Sequence, residues 1–203
     1  MFLSDNGPDA SVVGVKAMYD HLQAALDIHS GSVELRGRKN LNYEAGHRVP
    51  LLWRWPARWQ PRVVDDPTIP VSYVDIYRTL ADIIGADLPC NEAPDSRSLL
   101  TLLDGVEPTD QLKRSKILTH AKKGARIAFR QRNMKWIPEY NELYNLKNDI
   151  EEKVNLMHFE RGAAIGREMN NTMNEIVQFI THREEVTQKG KLDNCPKSRY
   201  LMG

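Results

Sequence analysis

The sequence predicts an α/β fold followed by a smaller α+β segment, and three patterns carry that prediction. Apolar residues recur at helical spacing over residues 72–84, which is typical of an amphipathic helix. Residues 116–137 contain three short apolar segments separated by polar turns, which indicates strands, and a last apolar stripe in residues 169–180 indicates a C-terminal helix. A shift in composition near residue 106 predicts two parts, residues 1–105 and residues 106–203.

Composition narrows the class of protein. A chain of 203 residues can hold one large domain, or one domain with a small addition. Apolar residues at 41% and charged residues at 27% argue against wholesale disorder. A net charge of +1 gives no electrostatic reason to expect nucleic acid or a membrane surface as a partner. No apolar run reaches the roughly 20 residues of a membrane span, and no signal peptide precedes Asp5.

The first half of the chain is predicted to alternate strands and helices. Residues 1–4 are predicted as the end of a buried strand, which the turn at residues 6–8 closes. Apolar spacing predicts a helix over residues 10–28. Residues 49–55 are predicted as a strand that has proline at its start.

The most regular helical pattern lies at residues 72–84. Ser72, with Asp75 three residues later, approximates a capping box. Gly85 occupies the position where a left-handed C-cap is favoured. The apolar stripe of this helix consists of Val74, Tyr77, Leu80, Ala81 and Ile84.

Three polar side chains in the first 40 residues suggest ester chemistry. Asp5 and Asn6 follow a predicted strand, and carboxylate and amide oxygens are the ligands that Ca²⁺ and Mg²⁺ prefer. Lys39 lies on a loop close to Gly37, and an ammonium group is a usual partner for a tetrahedral oxyanion. Each feature alone is also typical of an ordinary turn or a solvated loop. Together they predict part of a site for sulfate or phosphate esters.

The order of several short segments resembles the type I sulfatase family of the alkaline phosphatase superfamily. These segments are Ser-Asp-Asn-Gly at residues 4–7, Leu-Arg-Gly-Arg-Lys at 35–39, Tyr-Glu-Ala-Gly-His-Arg-Val-Pro at 43–50, Asp-Ser-Arg-Ser-Leu-Leu at 95–100 and Glu-Leu-Tyr-Asn-Leu at 142–146. The resemblance extends from about residue 2 to residue 156. It implies the C-terminal part of an alkaline-phosphatase-like sandwich domain, then a small α+β subdomain with antiparallel strands and a C-terminal helix.

The resemblance implies roles for particular residues. Asp5 and Asn6 match two ligands of the family's Ca²⁺ site, and Lys39 matches the lysine that contacts the sulfate. His47 lies in the same loop as Lys39 and is a candidate contact for the rest of the substrate. The implied reaction is hydrolysis of an aryl or carbohydrate sulfate. The implied partner is therefore a sulfated small molecule or carbohydrate.

The sequence departs from the family at the nucleophile. The family converts the cysteine of a Cys-x-Pro-x-Arg motif to formylglycine, and no such motif precedes Asp5. The tail contains Cys195-Pro196-Lys197-Ser198-Arg199, in which lysine occupies the required proline position. We therefore expect a truncated chain with an incomplete Ca²⁺ site and no activity of its own. Whether Cys90 and Cys195 form a disulfide stays open.

Two other classes of function remain open. One is a non-catalytic fragment or a binding module built on the sulfatase fold. The other is a related metal-dependent phosphodiesterase or phosphatase, although the neutral amide of Asn6 favours a single Ca²⁺. The resemblance implies a secreted, periplasmic or lysosomal location for a full-length parent. The sequence does not predict an oligomeric state.

Overall fold

A computed structural model describes residues 1–7, 35–64, 69–89, 92–106, 116–121 and 126–188. The burial of side chains is described up to residue 182. The helix predicted over residues 10–28 lies outside these ranges. So do Cys90, Cys195 and the motif that begins at Cys195.

The described chain alternates short strands and helices. In chain order, the elements are β1 (Phe2–Leu3), α1 (Glu44–His47), β2 (Leu51–Leu52), α2 (Val74–Ile84), α3 (Leu100–Leu103), β3 (Lys116–Ala121), β4 (Arg126–Gln131), β5 (Met134–Ile137), β6 (Glu142–Asn145) and α4 (Glu160–Gln188). Single 3₁₀ turns lie at Pro138–Tyr140 and Leu156–His158.

The chain divides into two compact units. One consists of Met1–Trp53 and Leu118–Asn171, and the other of Arg54–Ile117 and Thr172–Gly203. These units group residues by their contacts, whereas the boundary predicted near residue 106 separates segments along the chain. That boundary remains a prediction.

A four-stranded sheet is the centre of the first unit. The strands are ordered β3-β4-β5-β6, and β5 pairs antiparallel with both of its neighbours. Residues 135–137 of β5 are all buried, so both faces of this strand are covered. The three predicted strands are confirmed, and the fold is α/β with antiparallel strands and a C-terminal helix, as predicted.

The short strands near the N-terminus differ from the prediction. β1 pairs antiparallel with β2, so that Phe2 lies opposite Leu52 and Leu3 opposite Leu51. The prediction of a buried strand was wrong, because Phe2 is 62% exposed. The strand predicted over residues 49–55 is only two residues long, since among the described residues it pairs only with β1.

Helix α2 begins and ends close to the predicted residues but buries the opposite face. Gly85 is its left-handed C-cap with φ +68°, and the backbone N–H of Ser72 donates to Oδ2 of Asp75 at 2.8 Å. The buried side chains are instead Asp75 and Thr79. Both are held by the loop that follows the helix, since Asp75 Oδ1 accepts from the N–H of Arg97 and Thr79 Oγ1 accepts from the N–H of Leu99. Of the predicted apolar stripe, only Ala81 is buried.

Helix α4 is longer than its apolar stripe predicted. It spans 29 residues, and Met169, Met173 and Ile176 are buried along it, whereas Ile180 is 40% exposed. Within the described ranges, no helix combines the length and apolar character needed to cross a membrane.

Candidate functional site

Lys39 lies at the tip of a tight turn. The backbone N–H of Leu41 donates to the carbonyl of Arg38 at 3.1 Å, which places Lys39 and Asn40 at the two central positions. Asn40 has φ +72°. A type II turn needs a positive φ at this third position, and asparagine tolerates it better than most residues. The sequence Lys-Asn therefore fixes the backbone from which the Lys39 side chain extends.

Gly46 brings this turn together with the turn of Asp5 and Asn6. The backbone N–H of Gly7 donates to the carbonyl of Gly46 at 3.1 Å. On its other side, the Cα of Gly46 lies so close to the Lys39 turn that an added Cβ would sit 2.1 Å from the carbonyl oxygen of Leu41. The structure thus places the backbone of the two predicted site segments against one glycine, although they are more than 30 positions apart in sequence. The roles of the three side chains remain predictions.

A methyl group at Gly7 is expected to separate the two segments. The added Cβ would lie 1.6 Å from the carbonyl oxygen of Ala45, so backbone has to move. We expect Gly7→Ala to lower the free energy of unfolding by about 1–3 kcal/mol, the usual effect of overpacking. Hydrogen exchange should show loss of protection at the amide of residue 7.

The matched control is Gly85→Ala. An added Cβ there meets nothing within 4 Å, so its only cost is the positive φ of +68°. That substitution should lower stability by about 1 kcal/mol without changing exchange at residue 7. Equal exchange at residue 7 in both variants would contradict the predicted contact.

Residues 35–48, which we call the lysine loop, are part of the core of the first unit. Leu41 and Tyr43 are buried in one cluster with side chains of the sheet and of the residue after β6: Ala128, Ile137, Tyr144 and Leu146. The hydroxyl of Tyr43 donates to Oε2 of Glu142 at 2.7 Å. Arg36 stacks over the Tyr43 ring at 4.0 Å and donates to the hydroxyl of Tyr144 at 2.7 Å. The loop is therefore held by packing and by hydrogen bonds to β6.

Beneath the lysine loop lies a buried cluster of charges, which we call the Glu44–Lys135–Glu152 triad. Nζ of Lys135 lies 2.8 Å from Oε1 of Glu44 and 2.8 Å from Oε1 of Glu152. The side chain of Lys135 is 2% exposed, that of Glu44 is 3% exposed and that of Glu152 is 0% exposed. The backbone N–H of Glu44 donates to Oε2 of Glu152 at 2.7 Å, at the start of α1. Arg48 adds a bond from Nε to Oε2 of Glu44 at 2.7 Å.

The two carboxyl groups of the triad have opposite pKa shifts. Burial raises the pKa of Glu152 to about 7, and the charge of Glu44 adds to this effect while Lys135 opposes it. Burial also disfavours ionisation of Glu44, but the attraction of Lys135, His47 and Arg48 outweighs it and lowers the pKa of Glu44. Below neutral pH, these shifts favour an ionised Glu44 and a protonated Glu152.

Glu152 should make stability decrease with rising pH. Its folded pKa of about 7 lies above its ordinary value of 4.5, so the folded state binds this proton more tightly than the unfolded state. The resulting stability is complete below pH 4.5 and is lost as the pH rises through 7. Glu152→Gln cannot titrate. Wild type should therefore lose stability relative to this variant between pH 5 and pH 8, as measured by urea denaturation. Parallel curves would contradict the shift.

His47 lies at the edge of the same cluster. Nε2 of His47 is 3.8 Å from Oε1 of Glu44, and its side chain keeps 27% of its surface exposed. Removal from water and the nearby charge of Lys135 lower its pKa despite the attraction of Glu44. A neutral imidazole that is partly exposed beside the Lys39 turn can donate or accept one hydrogen bond. Its predicted contact with substrate stays a prediction.

The described residues do not fit a complete Ca²⁺ site. Within the described ranges, no group of three or more His, Cys, Asp or Glu side chains is placed to hold a metal. Asp5 and Asn6 offer side-chain oxygens, but Ca²⁺ takes six to eight oxygen ligands. No chemical step is therefore assigned to a bound ion in this structure.

The sequence did not predict the buried charge cluster or Lys135 within it, although Glu152, after the segment at residues 142–146, is part of the resemblance to the sulfatase family. Lys135 is flanked by Met134 and Trp136 in an apolar strand, and a lysine there is ordinarily expected to point into solvent. The signal was weak, because the partner carboxyl groups lie 91 and 17 positions away.

Several curated proteins are similar to this chain, and all three named here are sulfatases. Mouse steryl-sulfatase is 46% identical over 71 residues, which is 34% of this chain and 11% of that protein. The Bacteroides thetaiotaomicron N-acetylgalactosamine-6-O-sulfatase is 35% identical over 111 residues, 55% of this chain and 20% of that protein. Mouse arylsulfatase G is 31% identical over 124 residues, which is 61% of this chain and 22% of that protein. No family model matches the chain.

Solved structures are also similar. One is a Bacteroides thetaiotaomicron sulfatase from a study of the metabolism of multiple glycosaminoglycans. It aligns with a TM-score of 0.62 and 27% identity, and the alignment covers 86% of this chain and 38% of that sulfatase. Another is a protein solved in complex with a neocarrahexaose, which aligns with a TM-score of 0.57 and 24% identity. This alignment covers 86% of this chain and 35% of that protein.

The fold is that of alkaline-phosphatase-like hydrolases. The chain is related to the sulfatases of this fold and matches a C-terminal portion of them. It spans about 11–22% of the length of these curated relatives.

Proposed function

We propose that this chain supplies the part of a sulfatase active site that contains Lys39, Asp5 and Asn6. The reaction of that site is hydrolysis of a sulfate ester. The observation that carries the proposal is the packing of the Lys39 turn and the Asp5-Asn6-Gly7 turn against Gly46. Turns that carry a lysine and two residues with oxygen ligands therefore lie near each other, and this set of side chains suits an anionic ester. The similarity to three sulfatases supports the same reaction.

Lys39 would bind the sulfate and stabilise negative charge on the ester oxygen as the bond breaks. A fixed charge aimed at developing charge contributes about 10²–10³ to the rate. The tight turn and the packing against Gly46 supply the fixed backbone that such a contribution requires. His47 would contact the alcohol part of the substrate from the same loop.

Asp5 and Asn6 would contribute two ligands to a Ca²⁺ site whose other donors come from outside the described residues. When bound, that ion would polarise the sulfate. The nucleophile is not assigned to any described residue, and a formylglycine would have to come from a further segment.

The proposed substrate class is a sulfated carbohydrate. One relative acts on N-acetylgalactosamine 6-O-sulfate by its name, and one structural neighbour is a complex with neocarrahexaose. N-acetylgalactosamine 6-O-sulfate probes the carbohydrate preference, and an aryl sulfate probes an aryl preference.

The test is to complete the enzyme. The full chain is fused behind the N-terminal part of the Bacteroides N-acetylgalactosamine-6-O-sulfatase, which replaces the segment that matches this chain. Turnover of N-acetylgalactosamine 6-O-sulfate, of an aryl sulfate and of the matching aryl phosphate is then measured with Ca²⁺ or with a chelator. The proposal predicts Ca²⁺-dependent turnover with preference for the sulfate.

Two results would overturn the proposal. A folded fusion that turns over neither the carbohydrate sulfate nor the aryl esters would favour a non-catalytic fragment or binding module. Preference for the phosphate ester, with activation by transition metals, would favour a phosphatase or phosphodiesterase. The unaltered Bacteroides enzyme is the positive control.

A further inference from the structure

The most unusual feature outside the predicted site residues is Glu152. It is fully buried and has a left-handed backbone, φ +56°, which is uncommon for a residue other than glycine. Such conformations persist only where surrounding contacts determine them, and they occur most often at functional sites. Its backbone N–H donates to the carbonyl of Asp149 at 3.3 Å, and its carbonyl oxygen and carboxyl group contact the lysine loop and Lys135.

Both the backbone and the side chain of Glu152 bind the lysine loop. Its carbonyl oxygen accepts from Nη1 of Arg36 at 3.0 Å, near the start of the loop. Its carboxyl group accepts from the backbone N–H of Glu44 at 2.7 Å, at the start of α1. Lys135 then connects the Glu152 carboxyl group to that of Glu44. The Lys39 turn lies between these two attachment points.

We propose that Glu152, acting through Lys135 and Glu44, is a positioning residue that sets where the Lys39 turn and Gly46 lie. The inference rests on the proposed function, because Lys39 is the group whose position matters. Glu152 touches no substrate in this arrangement. Its effect on turnover has to pass through the lysine loop.

A role of this kind is distinguishable from general stabilisation. Glu152 fixes the beginning of α1, and two residues later Gly46 contacts both turns of the site. Loss of the Glu152 carboxyl group should shift α1 and the two turns while β4, β5 and β6 keep their own pairing. A displacement of about 1 Å at a reacting group can cost on the order of 10²-fold in rate.

The experiment uses Glu152→Ala with Glu152→Gln as the conservative variant and Glu151→Ala as the matched control. Glu151 is the adjacent glutamate, and its side chain is 34% exposed. In the full chain, hydrogen exchange at residues 41–46 should accelerate in Glu152→Ala, whereas exchange in β4, β5 and β6 should not. Glu152→Gln keeps an acceptor for the Glu44 N–H and should restore protection.

Turnover in the completed fusion then tests the link to Lys39. Glu152→Ala should lower kcat by on the order of 10-fold to 10²-fold with a smaller change in KM. In a Lys39→Ala background the same substitution should have little further effect, because the two changes act through one group. Glu152→Gln and Glu151→Ala should keep wild-type kcat.

The outcomes are separable. Wild-type fusion without turnover would overturn the proposed function and this inference with it. If the wild-type fusion is active but Glu152→Ala and Lys39→Ala lower kcat independently, so that their effects multiply, only the inference is overturned. Unchanged hydrogen exchange at residues 41–46 in Glu152→Ala would overturn it as well. If Glu152→Ala does not fold, Glu152→Asp replaces it, since the shorter carboxylate cannot make both contacts at their present distances.

Discussion

Replacing Lys135 with methionine is expected to lower the free energy of unfolding by about 3–5 kcal/mol, the usual effect of removing one partner from a buried ion pair. The side chain of Lys135 is 2% exposed and bridges two carboxyl groups at 2.8 Å. Its removal leaves Glu44 ionised in a buried position, with Arg48 as the hydrogen-bonded cation that remains. Urea denaturation of the full chain measures the change.

Two comparisons make this prediction specific. Lys147→Met removes a lysine from an exposed turn position and should change stability by no more than about 0.5 kcal/mol. Lys135→Met combined with Glu44→Gln removes both charges of the pair and should recover part of the loss, because no uncompensated carboxylate remains. A double variant no more stable than Lys135→Met alone would show that lost packing, rather than buried charge, dominates.

Local patterns predicted much of the fold. Alternation and turn residues placed β3, β4 and β5 within one residue of their observed bounds, and Gly85 correctly marked the end of α2. These features depend on interactions between residues close in sequence. The face that α2 buries could not be predicted, because Thr79 and Asp75 bond to a loop about 20 positions later. Burial of an apolar stripe is the usual expectation, and only a long-range contact reverses it.

The same limit applied to the site. Lys39, Asp5 and Asn6 were predicted as site residues because short motifs surround them, and the structure places the backbone of their turns against one glycine. The triad was not predicted, because the resemblance includes Glu44 and Glu152 in separate motifs, and nothing in the sequence pairs either of them with Lys135. Lys135 interrupts an apolar strand and Glu152 follows a turn. Only the fold brings the three together, so no periodicity in the sequence could predict the ion pairs.

In the completed fusion, Lys39→Ala is expected to lower kcat/KM by about 10²–10³, the usual cost of removing one fixed group that stabilises transition-state charge. The loss should appear mainly in kcat if Lys39 acts on charge that develops as the ester bond breaks. The effect on folding should be small, because Lys39 lies at the tip of a turn whose hydrogen bond joins the backbone of Arg38 and Leu41 and does not use the Lys39 side chain. Steady-state kinetics with an aryl sulfate, beside a urea denaturation curve, measures both quantities.

Lys39→Arg separates charge from geometry at this position. Arginine keeps the positive charge but is longer and planar, so the charge no longer sits as a compact point where the lysine placed it. We expect Lys39→Arg to recover only part of the rate, whereas Lys147→Ala at an exposed turn should keep full activity. Full activity of Lys39→Ala would remove this residue from the mechanism. Full activity of Lys39→Arg alone would mean that the general positive potential of the loop, rather than a fixed contact, serves the reaction.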